Sequence, residues 1–194
     1  MTQQAQPGDP VAGEDVVALL MRQHGDIHTL FDEVRTCEGE ARRESFQKLV
    51  RLLAVHETAE EEIVHPAART AFDGGDQVVQ DRLEEERAAK EALSTLDDMD
   101  IDDPRFMPAL LALRDDVLKH ARAEERYEFA QLRRTTSPQR LAMMAKAVKA
   151  AEKMAPTHPH PGVESATKNI AAGPVAALMD RTRDAIRQAM DREG

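Results

Sequence analysis

The sequence has no tryptophan, one tyrosine and one cysteine, and aromatic residues fill only 3% of its 194 positions. The lone thiol, Cys37, excludes a disulfide framework and a thiolate metal cluster. Runs of β-branched and aromatic residues, the usual mark of strands, are missing. No apolar run approaches membrane-spanning length, so no membrane partner is expected. Met1 to Asp15 is polar and lacks the apolar stretch of a signal peptide, and the expected compartment is the cytoplasm. Basic charge is scarce too: 26 Lys and Arg stand against 36 Asp and Glu, a formal net charge of −10. Phosphate neutralisation requires a basic face, so nucleic acid is not an expected partner.

What is plentiful is Ala, Leu, Glu, Arg and Met, all strong helix formers, and the expected class is all-α. Residues 1–13 carry Pro7, Gly8, Pro10 and Gly13 and read as a disordered lead-in. Four periodic segments follow, from about Asp15 to Val34, Glu40 to Thr70, Gln77 to Leu96 and Pro108 to Leu132. Short breakers separate them: Glu38-Gly39-Glu40, Asp73-Gly74-Gly75-Asp76, and the acidic run Asp97 to Asp103 before Pro104. Short links between long helices favour antiparallel neighbours, which gives an up-down-up-down four-helix bundle over 14–134. Residues 135–194 read as a helical C-terminal extension that packs on the bundle, on a second copy or on a partner protein. Its first helix starts at the cap Ser137-Pro138 and runs to about Met154. Its last runs from Pro174 to about Met190, with Val175, Leu178, Met179, Thr182, Ile186 and Met190 on one face.

The chemistry lies where the apolar stripes are interrupted. The stripes read Val17, Leu20, His24, Ile27 or His28, Phe31, Val34 in the first segment and Phe46, Leu49, Leu53, His56, Glu60, Ile63, Ala67 in the second. They continue as Val79, Leu83, Glu86, Lys90, Leu93 in the third and Leu110, Leu113, Val117, His120, Glu124, Tyr127 in the fourth. Each interruption falls near mid-helix, so an up-down bundle brings all of them to one level. An unpaired buried carboxylate costs several kcal/mol, so these groups must be paired, hydrogen-bonded or bound to a cation. His56 with Glu60, and His120 with Glu124, are four residues apart and share one side of a helix, about 5–6 Å apart at Cβ. Facing helices that carry carboxylates and such His/Glu pairs are how bundle cores build dimetal sites.

Imidazole and carboxylate ligands without thiolate suit iron or manganese, with zinc possible. Glu60 and Glu124 are the expected bridges between two ions, which such sites hold about 3.5–4 Å apart. His24, His56 and His120 are expected as terminal ligands and Glu86 as a terminal carboxylate. Glu57, about 100° round the helix from His56, can reach the second ion from the side. His28, one turn beyond His24, is open between a ligand and a partner of one.

These residues carry a resemblance. His24, then His56-Glu57-Thr58-Ala59-Glu60-Glu61, then His120-Ala121-Arg122-Ala123-Glu124-Glu125 resemble the hemerythrin-like (HHE cation-binding) family over roughly 15–133. The resemblance implies a four-helix bundle with two non-haem iron ions, oxo- or hydroxo-bridged. It implies a role in binding or sensing O2, peroxide (H2O2) or another small oxidant, or in reducing peroxide or nitric oxide (NO). Oxygen-carrying members have an HxxxH pair on the third helix, where this chain has Glu86-Arg87-Ala88-Ala89-Lys90. The added carboxylate favours the ferric state over reversible O2 carriage. Where the family often has Tyr near the end of the second helix, this chain has His65, just before Pro66.

Blander readings stand beside these. The His/Glu pairs could be surface salt bridges, His24 a core histidine, and the whole chain a metal-free helical interaction module. Glu84-Glu85-Glu86 could be one exposed acidic run, and Glu61, Glu62 and Glu125 read as surface charge. Tyr127 reads as core, Cys37 as an inert loop thiol. His158 and His160, each before a proline, read as a structural strap.

Overall fold

The computed structural model describes residues 14–154 and 174–191. The lead-in 1–13 and the segment Pro156 to Gly162, with His158 and His160, lie outside the described residues. Within them the chain forms six helices and no strand, and no helix is long and apolar enough to cross a membrane.

Helix α1 spans Val16–Thr36. Asp15 starts it: its Oδ1 accepts the Ala18 backbone N–H at 2.8 Å, and the same carboxylate receives the Arg133 guanidinium from the far end of the fourth helix. Helix α2 covers residues 39–71 but is not uniform. It is α-helical over Gly39–Ala59, widens to a π-turn over Glu60–Val64, and returns to α over His65–Ala71. Helix α3 spans Gly75–Asp97. Helix α4, residues 106–135, repeats the pattern of α2: α over Phe106–Ala123, π over Glu124–Phe129, α over Ala130–Thr135. Pro108 lies inside its first turn, where a missing N–H breaks no bond, so the helix begins two residues earlier than the proline suggests.

The extension supplies α5, Pro138–Met154, and α6, Pro174–Asp191. Ser137 Oγ accepts the Arg140 N–H at 3.3 Å, as expected of a cap.

Two apolar clusters bracket a polar layer. One gathers Ile27, Phe31 and Val34 of α1 with Phe46 to Val55 of α2, Leu93 and Leu96 of α3, and Phe106 to Val117 of α4. The other gathers Val16 to Leu20 of α1 with Ala59 to Val64 of α2 and Phe129 and Leu132 of α4. α1, α2 and α4 each leave one cluster, cross the layer and enter the other, α3 runs from the layer's far side into the first cluster, and successive helices run in opposite directions. That alternation is the up-down-up-down topology.

The extension packs on the bundle itself. α5 lies on α1, and α6 lies along α2 and α5. Leu141, Met144, Val148 and Ala151 are buried with Leu19, Leu20 and Phe129, so α5 shares the bundle's core. The apolar face of α6 spans both clusters, with Val175, Leu178 and Met179 in one and Ala185 and Ile186 in the other.

The turn between α2 and α3 depends on glycine. Gly74 has φ +82°, and a Cβ on Gly75 would lie 2.5 Å from the Ala68 carbonyl oxygen and 3.1 Å from that of Arg69. Both obstacles are backbone, so the chain must move. Gly75→Ala is expected to cost about 1–3 kcal/mol, as overpacking does. A chain of this size loses roughly 2–4 °C in Tm per kcal/mol, so thermal unfolding measures it. An unchanged Tm would show that the turn yields freely.

Candidate metal centre

The layer between the clusters holds His24 from α1, His56, Glu57, Glu60 and His65 from α2, Glu86 from α3, and His120, Glu124 and Glu128 from α4. All are buried, the carboxylates to 3% exposure or less. Both π-turns begin at a carboxylate of this layer, Glu60 in α2 and Glu124 in α4. Wide turns of this kind recur at functional sites because they re-aim side chains within an otherwise regular helix.

Two ligand sets emerge. His24, His56, Glu60 and Glu124 each offer one atom within 4.8 Å of the others, and so do Glu60, Glu86, His120 and Glu124. Glu60 and Glu124 belong to both. Each imidazole turns Nε2 inward: His24 to Glu124 at 3.4 Å, His56 to Glu60 at 3.4 Å, His120 to Glu124 at 3.3 Å. Within the protein, His24 Nε2, His120 Nε2 and both oxygens of Glu60 and of Glu124 have no hydrogen-bond partner. Buried polar atoms are nearly always satisfied, so a cluster of six that converge on one space fits a cation shared by them.

The outward nitrogens are all occupied. His24 Nδ1 meets Glu125 Oε1 at 2.8 Å, His56 Nδ1 meets Gln23 Oε1 at 2.8 Å, and His120 Nδ1 meets Glu85 Oε2 at 3.0 Å. An acceptor at Nδ1 places the ring hydrogen there and leaves the Nε2 lone pair facing inward, the arrangement of a metal-bound histidine. His24 also stacks on Phe129, at 5.7 Å between ring centres, and meets His56 edge-on at 4.8 Å.

The electrostatics have one theme, negative charge without enough compensation. Burial, then the charges of Glu124, Glu86, Glu57 and Glu128, push the Glu60 carboxyl well above its ordinary pKa. Burial and then Glu86 raise Glu57 to about 8. Glu124 goes the other way: against its burial, the charge of His120 and then the nearby His24 hold it well below the carboxylate range. His120, in spite of burial, is raised to about 10 by Glu124 and then by Glu57 and Glu86. Burial and the neighbouring His24 keep His56 neutral, with its pKa well below the usual value.

Not every expected residue joins the ligand sets. Glu57 is buried beside them, with Oε2 unpartnered, but belongs to neither. His28 stands apart: its ring is 47% exposed, nearest to Asp32 at 3.6 Å, and Ile27 takes the inward place on α1. Tyr127 is not core but 53% exposed, with Arg126 over its ring. The π-turn explains this, because a turn closed from i to i+5 holds an extra residue and carries the inward stripe from Tyr127 on to Glu128 and Phe129. The same shift in α2 buries Ala68 where the regular spacing gives Ala67.

Four supporting residues escaped the sequence reading, Gln23, Glu85, Glu125 and Glu128, and a fifth, His65, stood out there without a role. His65 is clamped between two carboxylates, Nδ1 to Glu128 at 2.8 Å and Nε2 to Glu86 at 2.5 Å. Those hydrogen bonds raise it to about 10 against its burial. Glu125 reads as surface charge from its position, and only the tertiary contact with His24 distinguishes it. Glu128 had a signal, since it follows Glu124 by one turn.

The family described as Hemerythrin HHE cation binding domain matches residues 15–132. An uncharacterised hemerythrin-like protein of Schizosaccharomyces pombe is 25% identical over 168 residues, which is 85% of this chain and 83% of that one. A DNA nickase of Nostoc sp. is 28% identical over 140 residues, 72% of this chain, and the chain spans 38% of that protein's length. The fold is similar to the crystal structure of a hemerythrin HHE cation binding domain-containing protein from Mycobacterium kansasii. The TM-score is 0.64 at 16% identity, covering 91% of this chain and 99% of the other.

The two overlapping ligand sets make a graded prediction. If each set holds an ion, Glu60→Ala and Glu124→Ala each remove a group common to both and are expected to lose both ions. Glu86→Ala and His120→Ala are expected to lose one, and His28→Ala none. Metal content per chain after dialysis reads this directly. Equal loss in all five variants would refute the shared roles of Glu60 and Glu124.

Proposed function

The chain belongs to the hemerythrin HHE cation-binding family, and we propose that it is a non-haem diiron protein whose centre binds or senses a small oxidant such as O2, peroxide or nitric oxide. The observation that carries this reading is the sharing of Glu60 and Glu124 between two four-residue ligand sets. A single ion does not need two sets, and two ions side by side need anionic bridges to offset their mutual repulsion. Nitrogen and oxygen donors without sulfur favour iron or manganese, with zinc as the redox-inactive alternative.

Bound iron would supply a redox couple within reach of a small oxidant. The chain's own contribution is placement and exclusion. Glu125, Gln23 and Glu85 fix the three imidazoles from outside. Leu53 and Val117 on one side and Phe129 and Ile63 on the other keep the layer dry. A cavity of about 180 Å³ between α3 and α4 reaches it, lined by Glu85, Ala88, Ala89, Asp116, Val117 and Lys119 and bounded within by Glu57, Glu86 and His120. Drug-sized ligands occupy roughly 300–1,000 Å³, so this space suits a molecule of a few atoms. It adjoins the ligand set that contains Glu86 and His120, which makes that ion the one an oxidant meets.

Nicking of DNA is the named activity of the Nostoc relative, most of whose length has no counterpart here. The net charge of −10 gives no support for a DNA partner in this chain.

Metal analysis and an optical spectrum of the aerobically purified protein test the proposal. Close to two iron per chain with near-ultraviolet ferric absorption is expected, and one zinc with no iron would sink it. Hydrogen peroxide then separates binding or sensing from catalysis. A single stoichiometric oxidation supports the former, and steady turnover moves the protein to the peroxide-reducing enzymes.

A further inference from the structure

Two of the three inward-facing imidazoles are fixed at Nδ1 by carboxylates, but His56 is fixed by an amide, that of Gln23. The difference matters because a carboxylate only accepts, whereas an amide accepts at one end and donates at the other. Turned over, Gln23 would donate to Nδ1 and favour the tautomer with hydrogen on Nε2, where a cation must bind. Gln23 is 1% exposed, so bulk water does not choose its orientation.

Glu152 does. Its Oε1 lies 2.5 Å from Gln23 Nε2, across 129 positions of sequence. Facing an acceptor, Gln23 must present its NH2 group to Glu152 and therefore its carbonyl to His56. His56 Nδ1 must then donate, and Nε2 is left with its lone pair toward Glu60. The polarity of the whole chain is set at its outer end. Glu152 is in turn held to the bundle, because Arg51 Nη2 donates to its backbone carbonyl at 2.8 Å. Arg51 lies on α2 little more than one turn before His56, so the clamp and the ligand ride on one helix. Glu152 is on α5, beyond the residues 15–132 that match the family.

We propose that Glu152 is a positioning residue of the metal centre, fixing the tautomer of His56 through Gln23, so that helix α5 sets how tightly the His24/His56 ion is held. The inference rests on the dimetal reading above. It gives the extension a task that packing alone does not: a displacement of α5 frees Gln23 to turn over and loosens one ion while sparing the other.

The full-length chain, loaded anaerobically with Fe(II) and titrated with a competing chelator, resolves the two ions and tests this. Outer partners of ligating histidines are typically worth about 10–100-fold in metal affinity. Glu152→Ala is expected to weaken one ion by roughly tenfold, at the low end of that range, and to leave the other near the parent value. Gln23→Met should weaken the same ion at least as much. The double variant should be no weaker than Gln23→Met alone, because both changes cut one chain. Glu152→Gln, whose amide can donate as well as accept, no longer dictates which way Gln23 faces and should recover only part of the loss. Val148→Ala, which removes buried packing from α5 while Arg51 still holds Glu152 in place, should lower Tm and leave both affinities alone. Parent-like affinity in Glu152→Ala, additive losses in the double variant, or an equal loss in Val148→Ala would each overturn the proposal while leaving the diiron reading intact. A parent chain that takes up no iron would overturn both.

Discussion

Five glutamates, Glu57, Glu60, Glu86, Glu124 and Glu128, share one buried layer with four histidines. Carboxylates confined in a medium of low dielectric repel one another strongly, and each also forfeits its hydration. The rest of the molecule is arranged around that constraint. Hydrogen bonds to His65 neutralise part of Glu86 and Glu128, and Lys90 reaches in from the half-exposed edge toward Glu86 while pairing with Glu61. What is left over is concentrated on Glu60 and Glu124, whose oxygens have no hydrogen-bond partner in the protein. On the dimetal proposal, a pair of cations in contact with both would remove the surplus.

Such a layer imposes demands outward. A neutral imidazole ligates through one nitrogen only if the other holds the hydrogen, so the outer partners matter as much as the ligands. Glu125 and Glu85, which are partly exposed, meet that demand for His24 and His120 directly. For His56 it passes through buried Gln23 to α5. Beyond this ring, Arg183 and Arg187 of α6 pair with Glu61 and Glu62 of α2, within the π-turn that presents Glu60. The extension is therefore attached to the helix carrying two ligands by apolar contact and by charge.

The π-turns connect ligand placement to backbone shape. Both begin at the second residue of a His-x-x-x-Glu pair, and Pro66, which has no N–H to give, follows the end of the first with only His65 between. The extra residue lets His65 in α2 and Glu128 in α4 turn inward beside the ligands without a break in either helix. A regular α-helix would present Ala67 and Tyr127 instead, and the clamp of His65 between Glu86 and Glu128 would not form.

The sequence by itself determined the helical class, the four long segments and their antiparallel order, because apolar periodicity and short links leave few other ways to bury the stripes. It also determined that His24, His56, Glu60, Glu86, His120 and Glu124 fall at one level, since each interrupts its stripe near mid-helix and α-helical spacing is regular up to those points. Beyond them regularity ends. Whether Glu60 and Glu124 are followed by an α- or a π-turn depends on forces from neighbouring helices, and a one-residue change of register there decides the places of Ala68, Tyr127 and Glu128. His28 was ambiguous for a related reason, because its angle on α1 is close to inward and only packing gives that place to Ile27. The partners Gln23, Glu85, Glu125 and Glu152 were invisible for a different reason. Each is a common polar residue on a helix flank, and it acquires a role only when a helix distant in sequence brings a histidine, or the amide that holds one, within hydrogen-bonding distance.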